Sequence, residues 1–358
     1  MVALSAFKLQ PSGQAGNPDH SKRRGRNQQV KNPHRAVCYI GGLGRQSFKI
    51  VTRGGLEWLE CGGLARFPWL LHAFSTRRGG VSKGAARGLN LGLIPSDSPA
   101  NVHKNRRRLF TKLGAENFAL ASLRQTHSSH IYRAVGKTPG EPEYHLSGYA
   151  APQLTHNRAP AGDALMTDEP GILLSVRVAD CLPILLVDPR RRAVAAVHAG
   201  WRGALARIVE KTVGVMRQVF GSDPRYLRAA VGPGIRACCY EVSEDVVAAF
   251  CGRFVRGEKY FRALPPQNPS DAIATRYPLL FLSKEPPGHL ADRLPAAHLD
   301  LVAVTKDQLQ SAGLRASNIH VAEFCTACRT DLFFSHRKEG ARTGRMMAVI
   351  GIKAGTGD

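Results

Sequence analysis

Three residues that together could bind a metal ion lie beside short apolar runs of this sequence. His127 ends the segment 124-RQTH-127, Cys181 precedes the run 182-LPILL-186, and His198 ends the run 193-AVAAVH-198. They are too far apart in the chain to form a local zinc finger, so only the fold could bring them together. Two imidazoles and one thiolate leave the fourth position of a tetrahedral zinc site open, as in catalytic zinc sites. These residue types indicate a candidate open metal site.

Other functions of the same residues stay open at this stage. A single histidine at a strand end is commonly a hydrogen-bonded structural residue, and a single cysteine between apolar runs is commonly a small buried hydrophobe. Cys181 is also a candidate nucleophile, activated by His198 or His127. Asp180 is a candidate for orienting a ligand or for a structural carboxylate, and Asp163 is another polar residue at the start of an apolar run. The pattern alone does not separate zinc binding from cysteine catalysis.

Arginines accompany these segments. Arg77 lies in a glycine-rich loop, Arg202 lies between Gly200 and Gly203 beside a tryptophan, and Arg345 follows 340-GARTG-344. The planar guanidinium group is suited to phosphate recognition, although a surface arginine often serves only solubility. A helix predicted after Arg202 would also turn its N-terminal amides toward an anion. We therefore predict Arg77, Arg202 and Arg345 as candidates for binding substrate or phosphate.

The eight cysteines are too few for a disulfide scaffold. Cys325 and Cys328 form a CxxC pair, but a zinc ribbon needs a second such pair. The adjacent Cys238 and Cys239 do not have that spacing. The sequence therefore predicts neither a zinc ribbon nor a redox-active pair here.

Composition divides the chain of 358 residues, which has a net charge of +23, into two parts. Residues 1–55 carry ten lysines and arginines against one aspartate and are rich in Gly, Pro, Asn and Gln. Such a segment buries too little apolar surface to fold, so we predict a disordered basic extension. Aromatic residues do not alternate with its charges, which argues against nucleic-acid binding. With no secretory signal and no uninterrupted apolar span, we expect a cytoplasmic protein that does not bind membranes. The sequence leaves its oligomeric state open.

The apolar pattern of residues 56–358 predicts one α/β (α+β) domain of mixed sheets flanked by helices. The predicted strands cover 171–178, 182–188, 193–198, a segment ending at 231, 318–323 and 346–352. The predicted helices cover 98–114, 203–219, 243–250 and 300–313. Residues 137–162 and 256–297 are expected to be irregular because proline and glycine interrupt them.

Several short motifs together resemble those of a known family. In chain order they are FSTRRGGVS (74–82), LNLG (89–92), NRRRL (105–109), RQTH (124–127), GDALMT (162–167), ADCLPILL (179–186), HAGWRG (198–203), GPGIRACCYEV (232–242), CT (325–326), FFSHR (333–337) and TGRMM (343–347). This chain resembles the laccase-domain family, also called the YfiH-type polyphenol oxidase-like, peptidoglycan editing factor or purine nucleoside phosphorylase family. The resemblance implies a YfiH-like catalytic domain over residues 56–358. It also implies that His127, Cys181 and His198 are the metal-binding, catalytic residues.

The resemblance implies a zinc-dependent purine nucleoside phosphorylase that acts on adenosine, inosine and 5'-methylthioadenosine with phosphate and also deaminates adenosine. Copper is the weaker candidate metal, because a multicopper oxidase needs several histidines in tight motifs. The alternatives are a zinc- or cysteine-dependent hydrolase that edits peptidoglycan precursors and a copper polyphenol oxidase. A further alternative is a non-catalytic domain tethered to nucleic acid by its basic extension.

This chain departs from the family pattern in four places. His336 stands where tyrosine is usual, and Ser128 stands where glycine is common. Residues 137–162 form a longer segment than expected, and residues 1–55 have no family counterpart. These departures leave the three metal-ligand candidates in place and bear on substrate preference.

Overall fold

A computed structural model describes residues 47–138, 141–147, 154–155, 159–263 and 297–355. Its α-helices are α1 (Gly62–Ala65), α2 (Pro99–Leu113), α3 (Trp201–Leu205), α4 (Ile208–Phe220), α5 (Glu244–Arg253), α6 (Leu301–Ser311) and α7 (His336–Glu339). Its strands are β1 (Phe48–Arg53), β2 (Leu56–Cys61), β3 (Leu70–Ser75), β4 (Ala119–Ser122), β5 (Ile131–Thr138), β6 (Glu141–Leu146), β7 (Leu154–Thr155), β8 (Ala164–Thr167), β9 (Ile172–Val178), β10 (Leu182–Asp188), β11 (Ala193–Ala199), β12 (Arg228–Val231), β13 (Phe261–Ala263), β14 (Ala297–Leu299), β15 (Ile319–Val321) and β16 (Met346–Ile352).

The strands form two large sheets and one small sheet. The six-stranded sheet has the order β1-β2-β3-β16-β9-β4, and the eight-stranded sheet has the order β15-β12-β10-β11-β8-β5-β6-β7. Strands β13 and β14 form the third sheet. Both large sheets are mixed, because parallel pairs such as β4 with β9 and β12 with β15 accompany antiparallel ones.

The core has apolar layers on both sides of each large sheet. Successive side chains of a strand point to opposite faces, and β10 shows this clearly. Leu185 and Val187 pack in the cluster shared with the six-stranded sheet, whereas Ile184 and Leu186 pack in the cluster that includes α4 and α6. A third cluster covers the far face of the six-stranded sheet and includes Leu109 of α2. The mixed-sheet α/β architecture predicted from the sequence is therefore confirmed.

Several element boundaries predicted from the sequence are also confirmed. Strands β9, β10, β11 and β16 lie within one residue of the predicted ranges. Helix α2 begins after Ser98, whose side chain accepts a hydrogen bond from the Asn101 amide at 3.2 Å. It ends at Gly114, which has a φ of 69°. Serine and glycine favour these two positions because one caps free amides and the other tolerates left-handed backbone.

Other predicted boundaries are wrong. The helix expected over 203–219 is two helices, because Arg207 adopts a φ of 59° between α3 and α4. The segment 137–162 contains the end of β5, all of β6 and the short β7, which pair with one another at the edge of the eight-stranded sheet. Its residues 139–140, 148–153 and 156–158 lie outside the described ranges.

The structure also differs from the prediction in two further segments, which contain strands that the sequence did not indicate. Residues 48–53 belong to the predicted disordered extension but form β1, which pairs with β2 along its whole length. Residues 1–46 lie outside the described part of the chain. The segment 256–297 includes β13 and the first residue of β14, which pair antiparallel, and its residues 264–296 lie outside the described ranges.

The segments that contain His127, Cys181 and His198 lie at one end of the strands of the eight-stranded sheet. A row of registered Cα partners runs across it, comprising Ile131, Ala164, Val197, Ile184, Val231 and Val321. Because this sheet is mixed, the residues just beyond the row precede β5, β8 and β10 but follow β11, β12 and β15. His127, Cys181 and His198 therefore come to the same end of the strands from separate parts of the sequence.

Among the described helices, none is long and apolar enough to cross a membrane.

Candidate metal centre

His198 is held by a buried carboxylate. It pairs with Pro183 near the end of β11, and its ring is 4% exposed. Its Nδ1 lies 2.8 Å from Oδ1 of Asp163, and its amide donates to the Asp163 carbonyl, also at 2.8 Å. A ring nitrogen beside a carboxylate carries a proton, so Nε2 is the nitrogen left to bind a metal ion, which would displace any proton held there.

His127 is held by the same carboxylate through its backbone. The amides of Thr126, His127 and Ser128 donate to Asp163 at 3.2, 3.0 and 2.6 Å. The Ser128 hydroxyl adds a contact of 2.7 Å to Oδ2 of Asp163. Turning three successive amides toward one carboxylate requires an unusual backbone, and His127 has a φ of 59°. Asp163, which is fully buried, thus fixes both histidines.

Cys181 completes a three-residue set, here called the trio (His127, Cys181 and His198). It lies between β10 and Asp180, whose φ is 91°. Its Sγ is 3.8 Å from Nε2 of His127. One ligand atom from each member of the trio lies within 4.8 Å of the other two. The three side chains that the sequence placed in separate motifs are therefore brought together.

Electrostatics favour a thiolate at this position. Burial raises the pKa of Cys181, but the charge of His198 and the hydrogen bond of His127 outweigh it and bring the value to about 6. Burial lowers the pKa of His198, while Cys181 and Asp163 raise it to about 9. Asp163, despite its burial, has a pKa of about 2 because it accepts bonds from His198 and Ser128. Metal binding needs a deprotonated sulfur, which this site supplies at neutral pH.

Gly200 keeps the space beside the trio open. A Cβ atom at this position would lie 2.8 Å from Cys181 Sγ and 3.0 Å from His127 Cδ2. Its φ of −84° is ordinary, so the requirement for glycine here is steric. Two imidazoles and a thiolate, with no fourth ligand group beside them in the described part of the chain, fit a metal site with an open position.

The sequence matches a family model named multi-copper polyphenol oxidoreductase laccase over residues 71–353. The chain belongs to this laccase family. The match begins within β3 and includes every later described strand and every member of the trio, so the resemblance that the motifs indicated is confirmed.

Several relatives of this laccase-family chain have names that refer to purine nucleosides. The chain is 34% identical to "Purine nucleoside phosphorylase YlmD" of Geobacillus stearothermophilus over 294 residues, which are 82% of this chain and 94% of that protein. It is 35% identical to "Purine nucleoside phosphorylase" of Deinococcus radiodurans over 302 residues, with coverages of 84% and 95%. It is 34% identical to "Adenosine deaminase RL5" of an unknown prokaryotic organism over 291 residues, with coverages of 78% and 93%.

The fold also agrees with a solved structure. The crystal structure of YlmD from Geobacillus stearothermophilus superposes with a TM-score of 0.66 at 33% identity. The superposition covers 86% of this chain and all of that one.

The two candidate aspartates have different roles in the structure. Among the described residues, the Asp180 carboxylate makes no hydrogen bond to either histidine of the trio. Its carboxylate instead accepts from the Thr326 hydroxyl and from the Arg337 amide, each at 2.6 Å. Asp163 orients the histidines, although its position in the sequence gave only a weak signal. Finding it required knowing that β8, which it precedes, lies beside β11.

The guanidinium groups of the three candidate arginines differ in how many contacts they make with other protein groups. One guanidinium nitrogen of Arg77 donates to Glu339 at 2.6 Å and to the Thr330 carbonyl at 2.8 Å, and the group stacks on Phe334. Arg77 thus has a structural role that competes with phosphate binding. Arg202 is exposed and lies 4.4 Å from the ring centroid of Trp201.

Arg345 is half-buried and lies near the trio. One of its guanidinium nitrogens donates to the carbonyls of Thr343 and Gly344 at 2.6 and 3.0 Å. Burial lowers its pKa, while the negative charges of Asp180 and Cys181 act in the opposite direction. This attraction places a positive charge close to the Cys181 sulfur.

The fold also gathers cysteines that the sequence analysis set aside. Cys238, Cys239, Cys325 and Cys328 have sulfur atoms that all lie within 4.8 Å of one another. The adjacent pair, which lacks the CxxC spacing, therefore lies beside the CxxC pair in the folded chain. The spacing rule describes a zinc ribbon on one hairpin, whereas here the two pairs lie in the segments that follow the neighbouring strands β12 and β15.

Proposed function

We propose that this chain is a zinc-dependent purine nucleoside phosphorylase that also deaminates adenosine, with His127, Cys181 and His198 as its metal ligands and catalytic residues. Adenosine, inosine and 5'-methylthioadenosine, together with phosphate, are its proposed substrates. The observation that carries this proposal is the convergence of the trio around a space that Gly200 keeps open. The names of the relatives supply the class of substrate.

The donor set favours zinc over several coppers. One thiolate and two imidazoles suit a single zinc ion, whereas a multicopper site needs more histidines close together. Within the described ranges, the groups able to hold a metal are the trio and the four cysteines, and neither has more than two histidines. Zinc in such a site acts as a Lewis acid and makes water acidic enough to attack near neutral pH.

The residues around the trio have distinct proposed tasks. Asp163 holds the rings of the trio in place and keeps the proton of His198 on Nδ1. In phosphorolysis, a phosphate oxygen forms a bond to the anomeric carbon of the ribose while the bond from that carbon to the purine nitrogen breaks. The purine leaves with the bonding electron pair and takes up a proton. Fixed positive charges stabilise phosphate and the departing base in such a reaction.

A concave surface beside the trio offers such charges. A cavity of about 630 Å³ is lined by Trp201, Arg202, Lys211 and Arg253, among other residues. Lys211 Nζ donates to the Ser129 hydroxyl at 3.2 Å, two residues after His127 in the chain, so the cavity borders the loop of the trio. We propose Arg202 as the leading phosphate ligand, Arg345 as the second candidate and Arg77 as the third, because its charge is paired with Glu339.

Product analysis tests this function. The purified protein would be incubated with adenosine, with and without inorganic phosphate, and the products separated by chromatography. Phosphorylase activity gives adenine and ribose 1-phosphate only with phosphate, and deaminase activity gives inosine in either case. If neither a free base nor inosine appears, the proposed function is wrong.

A second candidate function rests on the lowered pKa of Cys181. A thiolate beside two histidines could act as the nucleophile of a hydrolase, with no metal. A metal-free preparation that keeps full hydrolytic activity and loses it on thiol alkylation would favour this candidate. The zinc proposal expects the metal-free preparation to be inactive and zinc to restore it.

A further inference from the structure

A second group of metal-ligating side chains lies outside the trio. The cysteine cluster (Cys238, Cys239, Cys325 and Cys328) has its four sulfurs within 4.8 Å of one another. The Cys239 and Cys328 sulfurs are 3.3 Å apart, and those of Cys238 and Cys328 are 3.7 Å apart. Four thiolates arranged tetrahedrally at about 2.3 Å from zinc have sulfurs about 3.8 Å apart. The cluster therefore already has nearly the spacing of a four-cysteine zinc site.

The fold holds the two halves of the cluster together independently of the sulfurs. The parallel strands β12 and β15 end at the registered pair Val231 and Val321, and the chain continues from both at the same edge. A further bridge joins Gly234 to Cys325, and the Thr326 amide donates to the Gly234 carbonyl at 3.1 Å. The convergence of the four sulfurs thus follows from the sheet.

Arg236 connects the same two loops and supplies positive charge. Its guanidinium donates to the Phe324 carbonyl at 3.3 Å and to the Ala322 carbonyl. Burial lowers the pKa of Arg236, and the negative groups Asp300, Cys325 and Cys238 oppose that shift. Four thiolates around one divalent cation leave a net charge of −2, so a nearby guanidinium favours the charged site.

We propose that the cysteine cluster binds one zinc ion through four thiolates, as a structural site separate from the trio. Four protein ligands close the coordination shell and leave no position for substrate, which is typical of structural zinc sites. Cys251, which is exposed, is not part of the cluster.

This zinc would stabilise two loops that contact residues beside the trio. Thr326, next to Cys325, donates its hydroxyl to Asp180 at 2.6 Å, and Asp180 directly precedes Cys181 of the trio. Tyr240, next to Cys239, has its ring centroid 5.2 Å from the guanidinium carbon of Arg337, whose amide donates to Asp180 at 2.6 Å. Both loops of the cluster thus lead directly to the surroundings of the trio.

Metal content per chain tests the proposal. The full chain would be produced with zinc in the medium under reducing conditions, and its metals counted by mass spectrometry of the intact protein and by elemental analysis. We expect two zinc ions in the native chain, one in His198→Ala and one in Cys325→Ser. The matched control Cys251→Ser should keep two. A native chain that binds at most one zinc, lost entirely in His198→Ala, would overturn the proposal.

A measurement on His198→Ala, in which the four cysteines are intact, covers the case in which Cys325→Ser fails to fold. Titration of His198→Ala with a mercurial reagent should release its remaining zinc as the clustered thiols react, and cobalt substituted for that zinc should show the visible bands of tetrahedral thiolate coordination. Disulfides in the cluster, seen as a mass 2 Da lower per bond in the protein purified without reductant, would contradict the zinc site. Iron as the stoichiometric metal would also contradict it.

Discussion

At the scale of single residues, Asp163 determines the geometry of the trio. It binds His198 through the ring and His127 through the backbone, so one buried carboxylate fixes two ligands from different loops. A carboxylate behind a histidine ligand fixes the tautomer and raises the basicity of the ring. The sequence showed the ligands through their motifs, but the importance of Asp163 depends on contacts between segments 35 residues apart.

Replacing Asp163 by asparagine should weaken metal binding. The amide group would turn a donor toward the amides that now donate to the carboxylate, and His198 would lose its charged partner. We expect zinc affinity to fall about 10- to 100-fold, as for other residues that support metal ligands, in a chelator competition assay. The control is Asp188→Asn, which alters another buried carboxylate that accepts backbone amides, from Arg190 and Arg191. Equal zinc affinity in Asp163→Asn and the native chain would show that Asp163 does not support the ligands.

Gly200→Ala should weaken metal binding by crowding. The new methyl group would lie 2.8 Å from Cys181 Sγ, so the thiol or the strand end must move. Such overpacking costs about 1–3 kcal/mol, and we expect zinc affinity to fall about tenfold or more, since 1.4 kcal/mol corresponds to a factor of ten. Gly214→Ala is the control, since a Cβ there meets nothing within 4 Å. If isothermal titration gives the two variants the same zinc affinity, the steric explanation for Gly200 is wrong.

At the scale of elements, strand order creates the site. Apolar runs predicted β9, β10, β11 and β16 because buried strands are apolar throughout. The order of strands in the sheets depends on pairings between distant segments, which periodicity does not encode. For that reason the sequence could nominate the members of the trio but could not show that the cysteine pairs meet. The break between α3 and α4 also escaped prediction, because Leu205 and Ile208 keep helical spacing across it.

The buried strand β3 predicts a pH dependence of stability. His72 accepts a hydrogen bond from the Cys61 amide at 3.0 Å, and burial lowers its pKa from 6.5 to about 4 against the opposing charge of Glu60. Between these values the unfolded chain binds the proton more readily than the folded one. The free energy of unfolding should therefore be highest above pH 6.5 and fall by about 3 kcal/mol as the pH drops to 4.

Denaturant unfolding at a series of pH values measures this effect. His72→Gln, which keeps an acceptor for the Cys61 amide, should flatten the dependence between pH 6.5 and 4. The exposed His103→Gln should leave it unchanged. A slope that is the same in His72→Gln and the native chain would assign the pH dependence to other groups.

At the scale of the whole molecule, the residues that match the family model include all three members of the trio, which the fold brings together. Several motifs that carry the resemblance, among them RQTH, HAGWRG and CT, lie at or just beyond the ends of strands of the eight-stranded sheet, whereas NRRRL lies within α2. They do not identify the substrate, because the cavity beside the trio is formed by α3, α4 and α5 together. The positive charges of Arg202, Lys211 and Arg253 come together only in the folded chain.

The most direct test of the trio is the rate at which His198→Ala releases hypoxanthine from inosine in the presence of phosphate. We expect this rate to fall at least about 100-fold, on the scale of losing one preorganised catalytic group, while the exposed-histidine variant His103→Ala keeps the native rate. A rate for His198→Ala within twofold of the native chain would contradict the proposal that the trio performs the reaction.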